Sequence, residues 1–171
     1  DDVVLGTRNG DHISVNEGEN IVVGRGGDDI VNGGNSRDVI FGKGQNDILN
    51  GNGGDDLLSG GAHHDRIYGG GGDDKILGGR GNDLVEAGSG DDTINLGKGN
   101  DTVQGEGGDD CIRGGRDGGV IKGNLDKGLN VRLGDELFGN GGADEFEYVA
   151  GDGVDFLFDF KAADGDTIEF F

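Results

Sequence analysis

The 171 residues carry 31% apolar side chains and 42 glycines, which excludes a thick, conventionally packed core and points to one domain with a thin, regular one. A formal net charge of -21 excludes nucleic acid and anionic membrane surfaces as partners, since both repel a polyanion, and makes cations the natural counterpart. The single cysteine excludes an internal disulfide framework, and no apolar run of about 18 residues is present to span a membrane.

From the N-terminus onward, an acid recurs at every ninth residue with Val, Ile or Leu two residues after it. Asp2 with Val4 and Asp11 with Ile13 begin the series, and Asn20 with Val22 is its one non-acidic member. An unbroken run then follows: Asp29, Asp38, Asp47, Asp56, Asp65, Asp74, Asp83, Asp92, Asp101 and Asp110. Each unit reads as a glycine-rich turn followed by a short strand. Strand side chains alternate faces, so only the residue two after the acid is expected to point inward. Ser36, Gln45 and His63 stand where a turn glycine is expected and mark weaker or distorted turns. Asp28, Asp55, Asp73, Asp91 and Asp109 immediately precede phased acids and read as solvent-facing charge. His63 and His64 read as an exposed turn variant, and Cys111 as an outward thiol. The lack of proline suits a stack in which nearly every N–H is needed for ladder bonds.

Beyond Ile112 the phase breaks, and residues 115–131 fit no unit cleanly. Asp135 with Leu137 and Asp144 with Phe146 resume the spacing in a shifted frame, and Asp117 and Asp126 share that frame. Seven of the eight phenylalanines lie beyond residue 137. Among them, Phe156-Leu157-Phe158-Asp159-Phe160 reads as a strand over the open end of the stack, which a solenoid needs because its last coil is otherwise a bare template for pairing. The expected organisation is a repeat region over 1–113, an irregular insertion over 114–129, and degenerate repeats with an aromatic cap over 130–171. The incomplete first unit and the missing initiator Met mark the chain as an expected piece of something longer.

Gly69-Gly70-Gly71-Gly72-Asp73-Asp74-Lys75-Ile76-Leu77 and Gly78-Gly79-Arg80-Gly81-Asn82-Asp83-Leu84-Val85-Glu86 match the nonapeptide G-G-x-G-x-D-x-U-x at every defined position. In these units the chain resembles the RTX calcium-binding repeats of bacterial proteins, over about residues 2–112 and more loosely over 130–171. The stretch from Gly151 to Ile168 resembles the segment that follows such repeats in proteins exported by the type I route. The resemblance implies an all-β fold, a right-handed parallel β-roll (a β-solenoid) with two nine-residue repeats per coil and a C-terminal β capping segment. Equivalent residues of successive coils would then stack at about 4.8 Å. Val31, Leu49, Ile67, Val85 and Val103 would form one inner row, opposite Ile40, Leu58, Ile76, Ile94 and Ile112. Ile21, Val23, Val39, Phe41 and Leu57 would lie together on the outer face of one sheet.

The same resemblance implies the ligands. The side chains of Asp11, Asp29, Asp38, Asp47, Asp56, Asp65, Asp74, Asp83, Asp92, Asp101 and Asp110 would hold calcium between equivalent turns of successive coils. Backbone carbonyls of Gly70, Gly72, Gly79, Gly81, Gly88 and Gly90 would complete the shells. The pairs 11/29, 29/47, 38/56, 47/65, 56/74, 65/83, 74/92, 83/101 and 92/110 make about nine Ca2+ sites, and Asp117, Asp126, Asp135 and Asp144 are possible further ligands. Calcium accepts carboxylate and carbonyl oxygens in irregular geometry, which suits glycine turns.

No catalytic pattern is present. There is no H-E-x-x-H helix and no G-x-S-x-G elbow. A regular array of carboxylates reads as metal ligation, whereas acid/base catalysis needs two groups in different environments. The leading expectation is a non-enzymatic, calcium-dependent folding and stabilising module of a larger secreted bacterial protein, extracellular, with calcium and an upstream domain as partners. Its metal-free chain is expected to be disordered, since low hydrophobicity with high net charge cannot sustain a packed core. One alternative is a structural or adhesive element that self-associates or binds a surface polymer, for which the outer apolar residues of the N-terminal coils would serve. Another is a carbohydrate-binding accessory module of a polysaccharide-modifying enzyme.

Overall fold

The nine-residue phase becomes one strand per unit. A computed structural model describes residues 1–108, 110–115, 119–122, 135–138, 145–148, 156–158 and 167–170, and the side chains of 1–108 and 110–112. In chain order the strands are β1 (Val3–Leu5), β2 (His12–Ser14), β3 (Ile21–Val23), β4 (Ile30–Asn32), β5 (Val39–Gly44), β6 (Ile48–Gly53), β7 (Leu57–Ala62), β8 (Arg66–Gly71) and β9 (Lys75–Arg80). They continue as β10 (Leu84–Ser89), β11 (Thr93–Lys98), β12 (Asp101–Gly107), β13 (Cys111–Gly115), β14 (Gly119–Lys122), β15 (Asp135–Phe138), β16 (Glu145–Tyr148), β17 (Phe156–Phe158) and β18 (Thr167–Phe170). No helix occurs among the described residues, so none is long and apolar enough to cross a membrane.

Successive strands alternate between two sheets. Odd-numbered strands from β1 to β13 form a seven-stranded sheet; β2, β4, β6, β8, β10, β12, β14, β15 and β17 form a nine-stranded one, and β16 pairs with β18. All pairing is parallel, and from β1 to β14 neighbours within a sheet stand two repeat units apart in the chain, as in Val22↔Ile40, Leu49↔Ile67 and Val85↔Val103. The result is an all-β, parallel solenoid of the β-roll kind, with two nine-residue units per coil. β14 falls inside the stretch expected to be irregular, yet keeps the step through Val103↔Ile121. The step then shortens at Gly119↔Asp135 and lengthens at Leu137↔Leu157. Of the strand expected over 156–160, residues Phe156–Phe158 form β17, the outermost strand of the nine-stranded sheet, and 159–160 lie outside the described residues.

Both inner rows named from the sequence are fully buried, from Val22 through Ile112. The expectation of a single inward residue per unit needs correction. From β5 to β11 the strands run six residues, so alternation carries a second position inward, four residues after the acid. In most units that residue is a buried glycine; in three it is Val15, Ala87 or Leu96, all within the core cluster. Replacing a central rung such as Ile67, which lies between Leu49 and Val85, with Ala is expected to cost about 2–5 kcal/mol. Denaturant unfolding in saturating calcium measures this, and an unshifted midpoint would remove the inner row from the roll's stability.

On the outer face of the seven-stranded sheet, Ile21, Val39 and Leu57 align in one row and Val23 and Phe41 in the next, as the two-unit coil implies. Val3, Leu5 and Ile21 are 71%, 55% and 44% exposed. The Lys43 ammonium lies 4.4 Å from the Phe41 ring centroid, a cation–π contact that covers part of this face.

Candidate metal centres

Each phased acid ends a turn at the start of a strand, and its backbone is used on both sides. Its carbonyl accepts the first N–H of the next strand in its own sheet, as when Leu57 N–H donates to Asp38 at 2.9 Å. Its own N–H donates to the Oδ1 of the equivalent acid in the next coil. Along one edge of the roll these bonds run from Asp11 to Asp29, Asp29 to Asp47, Asp47 to Asp65, Asp65 to Asp83 and Asp83 to Asp101, at 2.8–2.9 Å. Along the other they run from Asp38 to Asp56, Asp56 to Asp74, Asp74 to Asp92 and Asp92 to Asp110, at 2.6–3.0 Å. The fold therefore brings together the pairs named from the sequence.

This leaves the second carboxylate oxygen. The acids from Asp29 to Asp110 are at most 2% exposed. In Asp29, Asp47, Asp56, Asp65, Asp74, Asp83 and Asp92 the Oδ2 is buried without any hydrogen-bond donor. Burial is the main cause that pushes Asp56, Asp65 and Asp92 up to about 7 and Asp47 and Asp74 up to about 6; the N–H bond at each carboxylate opposes the rise, and negative neighbours add to it. Asp29 and Asp83 are raised for the same first reason. A carboxylate in this setting must either take a proton or face a cation, because an uncompensated buried charge costs too much.

Main-chain oxygens wall the same space. A Cβ placed on Gly78 would stand 2.8 Å from Asp83 Oδ2 and 2.6 Å from the carbonyl oxygen of Leu96. Equivalent crowding at Gly24, Gly51 and Gly69 involves the carbonyls of Gly42, Gly69 and Ala87 with Asp29, Asp56 and Asp74. The sequence does not single out these carbonyls. They belong to the residue five before the next acid on the same edge, and only the coil-to-coil register reveals them. The six glycines that the sequence does single out all have positive φ, from 112° to 129°. The carbonyls of Gly70, Gly72, Gly79, Gly81 and Gly90 press against the equivalent glycines of the next coil.

No group of three or more His, Cys, Asp or Glu converges among the described residues. Paired carboxylates with main-chain oxygens form a hard, all-oxygen donor set, which fits calcium and lacks the thiolate and imidazole ligands usual for zinc. His63 and His64 are exposed, and Cys111 is an exposed free thiol.

Two kinds of turn are present. Every acid with an orphaned Oδ2 is preceded by positive φ at both the fourth and second residues before it, from Arg25 and Gly27 before Asp29 to Gly88 and Gly90 before Asp92. Gln45 and His63 reach φ 77° and 79°, so their turns keep the common shape despite lacking glycine; Ser36 does not adopt positive φ. Asp135 opens β15, while Asp117, Asp126 and Asp144 lie outside the described residues.

Asp28, Asp55, Asp73 and Asp91 are exposed, as expected, whereas Asp109 lies outside the described residues. Several are also acceptors in an outer ladder that the sequence reading does not include. Asp28, Asn46, His64 and Asn82 each accept the N–H of the equivalent residue in the next coil, at 2.7–3.0 Å, and Asp55 and Asp73 do the same on the opposite edge. The signal for it is the recurrence of Asp, Asn or His immediately before the phased acid.

A parallel solenoid with buried, donor-poor carboxylates stacked along both edges defines a cation-binding repeat module. The model of the family described as RTX calcium-binding nonapeptide repeat matches residues 5–40, 14–49, 32–65, 50–85 and 86–121. These windows cover well over half of the chain, which belongs to that family and is a calcium-binding repeat module. No curated protein matches the sequence.

Proposed function

We propose that this module folds on taking up calcium and, in doing so, orders and stabilises a larger secreted bacterial protein to which it belongs, without catalysing a reaction itself. The observation that carries this reading is the row of buried Oδ2 atoms without donors. Each is a charge the fold can keep only with a proton or a cation, so ion binding and folding are one equilibrium. Asp29, Asp47, Asp56, Asp65, Asp74, Asp83 and Asp92 supply those oxygens, and Asp101 and Asp110 close the last pairs. Where free calcium is scarce the chain stays open and threadable. At the roughly 10⁻⁴ to 10⁻³ M affinity of extracellular modules, it closes outside the cell.

The exposed outer residues Val3, Leu5 and Ile21 favour a second reading, a roll that self-associates as a structural or adhesive element. Far-UV circular dichroism with parallel light scattering, over a calcium titration to about 10 mM with magnesium as control, separates the two. The folding module is expected to show a cooperative, calcium-specific gain of β structure at constant mass. Growth in mass with the same transition selects the assembling element. A spectrum already β-rich in chelator and indifferent to calcium would overturn the folding mechanism.

A further inference from the structure

The carboxylates of Asp11 and Asp38 differ from those that follow. Thr7 donates to Asp11 Oδ2 from its backbone N–H at 2.6 Å and from its hydroxyl at 3.0 Å. Gly34 N–H donates to Asp38 Oδ2 at 2.7 Å. Asp38 Oδ1 accepts from both the N–H and the side-chain amide of Asn20, at 2.8 and 2.9 Å, and the same amide donates to the Gly18 carbonyl at 2.7 Å. Asp38 is fully buried with both oxygens satisfied. Asn20 is thus the neutral, donating counterpart of a phased acid, and its NH2 group offers hydrogens on the side where later acids present Oδ2.

The cause is backbone geometry. Thr7, Asn9, Gly34 and Ser36 do not adopt the positive φ found at the corresponding places of the later turns. The N–H four residues before the acid is then presented to Oδ2, whereas a left-handed residue at that place turns its N–H elsewhere. Thr and Ser disfavour positive φ. At Gly34 the residue type would permit it, yet φ is not positive there; the Asn16 carbonyl oxygen lies where a Cβ would stand, so only glycine fits.

We infer that the Asp11 and Asp38 turns are closed without calcium, so that the first coil forms an ion-free end on which the calcium-dependent coils are laid. This rests on the later turns being calcium sites. The orphaned Oδ2 atoms of Asp29, Asp56, Asp74 and Asp83 share their space with a carbonyl of the next coil, that of Gly42, Gly69, Ala87 and Leu96 respectively. Each ion is therefore assigned to the pair that begins with that acid. Orphaned Oδ2 atoms begin 29/47, 47/65, 56/74, 65/83, 74/92, 83/101 and 92/110. Pairs 11/29 and 38/56 begin with satisfied acids and take no ion, which reduces the nine pairs to seven.

The nine pairs from Asp11 to Asp110 are expected to hold seven ions rather than nine, measured as bound calcium per chain by equilibrium dialysis and atomic absorption at saturation. Thr7→Gly combined with Asn9→Gly removes the donating hydroxyl at Asp11 and permits positive φ at both places of its turn, and is expected to add one ion. Amide hydrogen exchange of the unaltered chain provides a readout that needs no variant. Protection across 1–23 should appear at lower calcium than protection across 45–112. A wild-type count of nine, an unchanged count in the folded double variant, or simultaneous protection of the two regions would overturn the ion-free end. Absence of any bound calcium would instead overturn the reading of the later turns.

Discussion

In chelator, lowering the pH from about 8 to about 5 is expected to drive the metal-free chain toward the β-rich state that calcium otherwise produces. The sign follows from the direction of the shifts. Asp56, Asp65 and Asp92 titrate at about 7 and Asp47 and Asp74 at about 6 in the fold, all above the ordinary 3.8. An acid raised by folding binds its proton more tightly in the folded state. Its contribution to stability is complete below the unfolded value and is lost as pH rises through the folded one. The window therefore runs from about pH 4 to about pH 7. Protons stabilise the same fold that calcium does, so the calcium needed for half-folding should fall as pH falls through this window, while the calcium held per folded chain falls with it because the two compete for the same oxygens. Circular dichroism in chelator, with light scattering to exclude precipitation near the isoelectric point, measures the first effect; calcium titrations at two pH values measure the second. A chelated chain equally unfolded at both ends of the range would show that buried carboxylate charge is not what keeps the apo fold open.

Gly81→Ala is expected to be among the most damaging single-methyl additions to the roll, while Gly26→Ala is expected to change little. Gly81 has φ 129°, a region essentially reserved for glycine, and a Cβ there would overlap the carbonyl oxygen of His63 in the neighbouring coil. Backbone cannot move aside as a flexible side chain can. A cost of about 3 kcal/mol or more is expected from strain and overlap together, read as a higher calcium concentration for half-folding and a lower denaturation midpoint. A Cβ on Gly26 would meet no heavy atom within 4 Å, and its φ is not positive, so Ala there stays within about 0.5 kcal/mol of the parent. Equal behaviour of the two variants would mean that close coil-to-coil backbone approach does not limit the fold.

The architecture was legible because its determinants are periodic. A phased acid with an aliphatic residue two positions later places Val31, Leu49 and Ile67 in one row wherever the strand begins, since alternation does the rest. The second inward row was not legible. Gly33 and its equivalents carry no hydrophobic signal, and Val15, Ala87 and Leu96 are too few to set a period. The acids themselves were evident, but the state of each second oxygen was not, because it depends on which way a single peptide faces. Gly34 permits either orientation, and only the folded turn shows its N–H facing Asp38 Oδ2. Gln45 and His63, which read as distorting substitutions, reach the left-handed conformation despite their side chains. The outer acceptors Asn46 and His64 look like ordinary polar turn residues until the winding of the roll places each beneath the N–H it serves.

Among the described residues, strands β1 to β14 pair only with neighbours one coil away, so no strand pairing there clamps the two ends together. Pulled by its termini, such a stack yields one coil at a time. Each release frees a pair of nine-residue units, about 60 Å of extended chain, and lets go of the ions held against the next coil. Re-formation follows the reverse order wherever calcium is present. On the proposed folding mechanism, the repeat is expected to lengthen under load in steps of fixed size, at a force set by the calcium concentration around it.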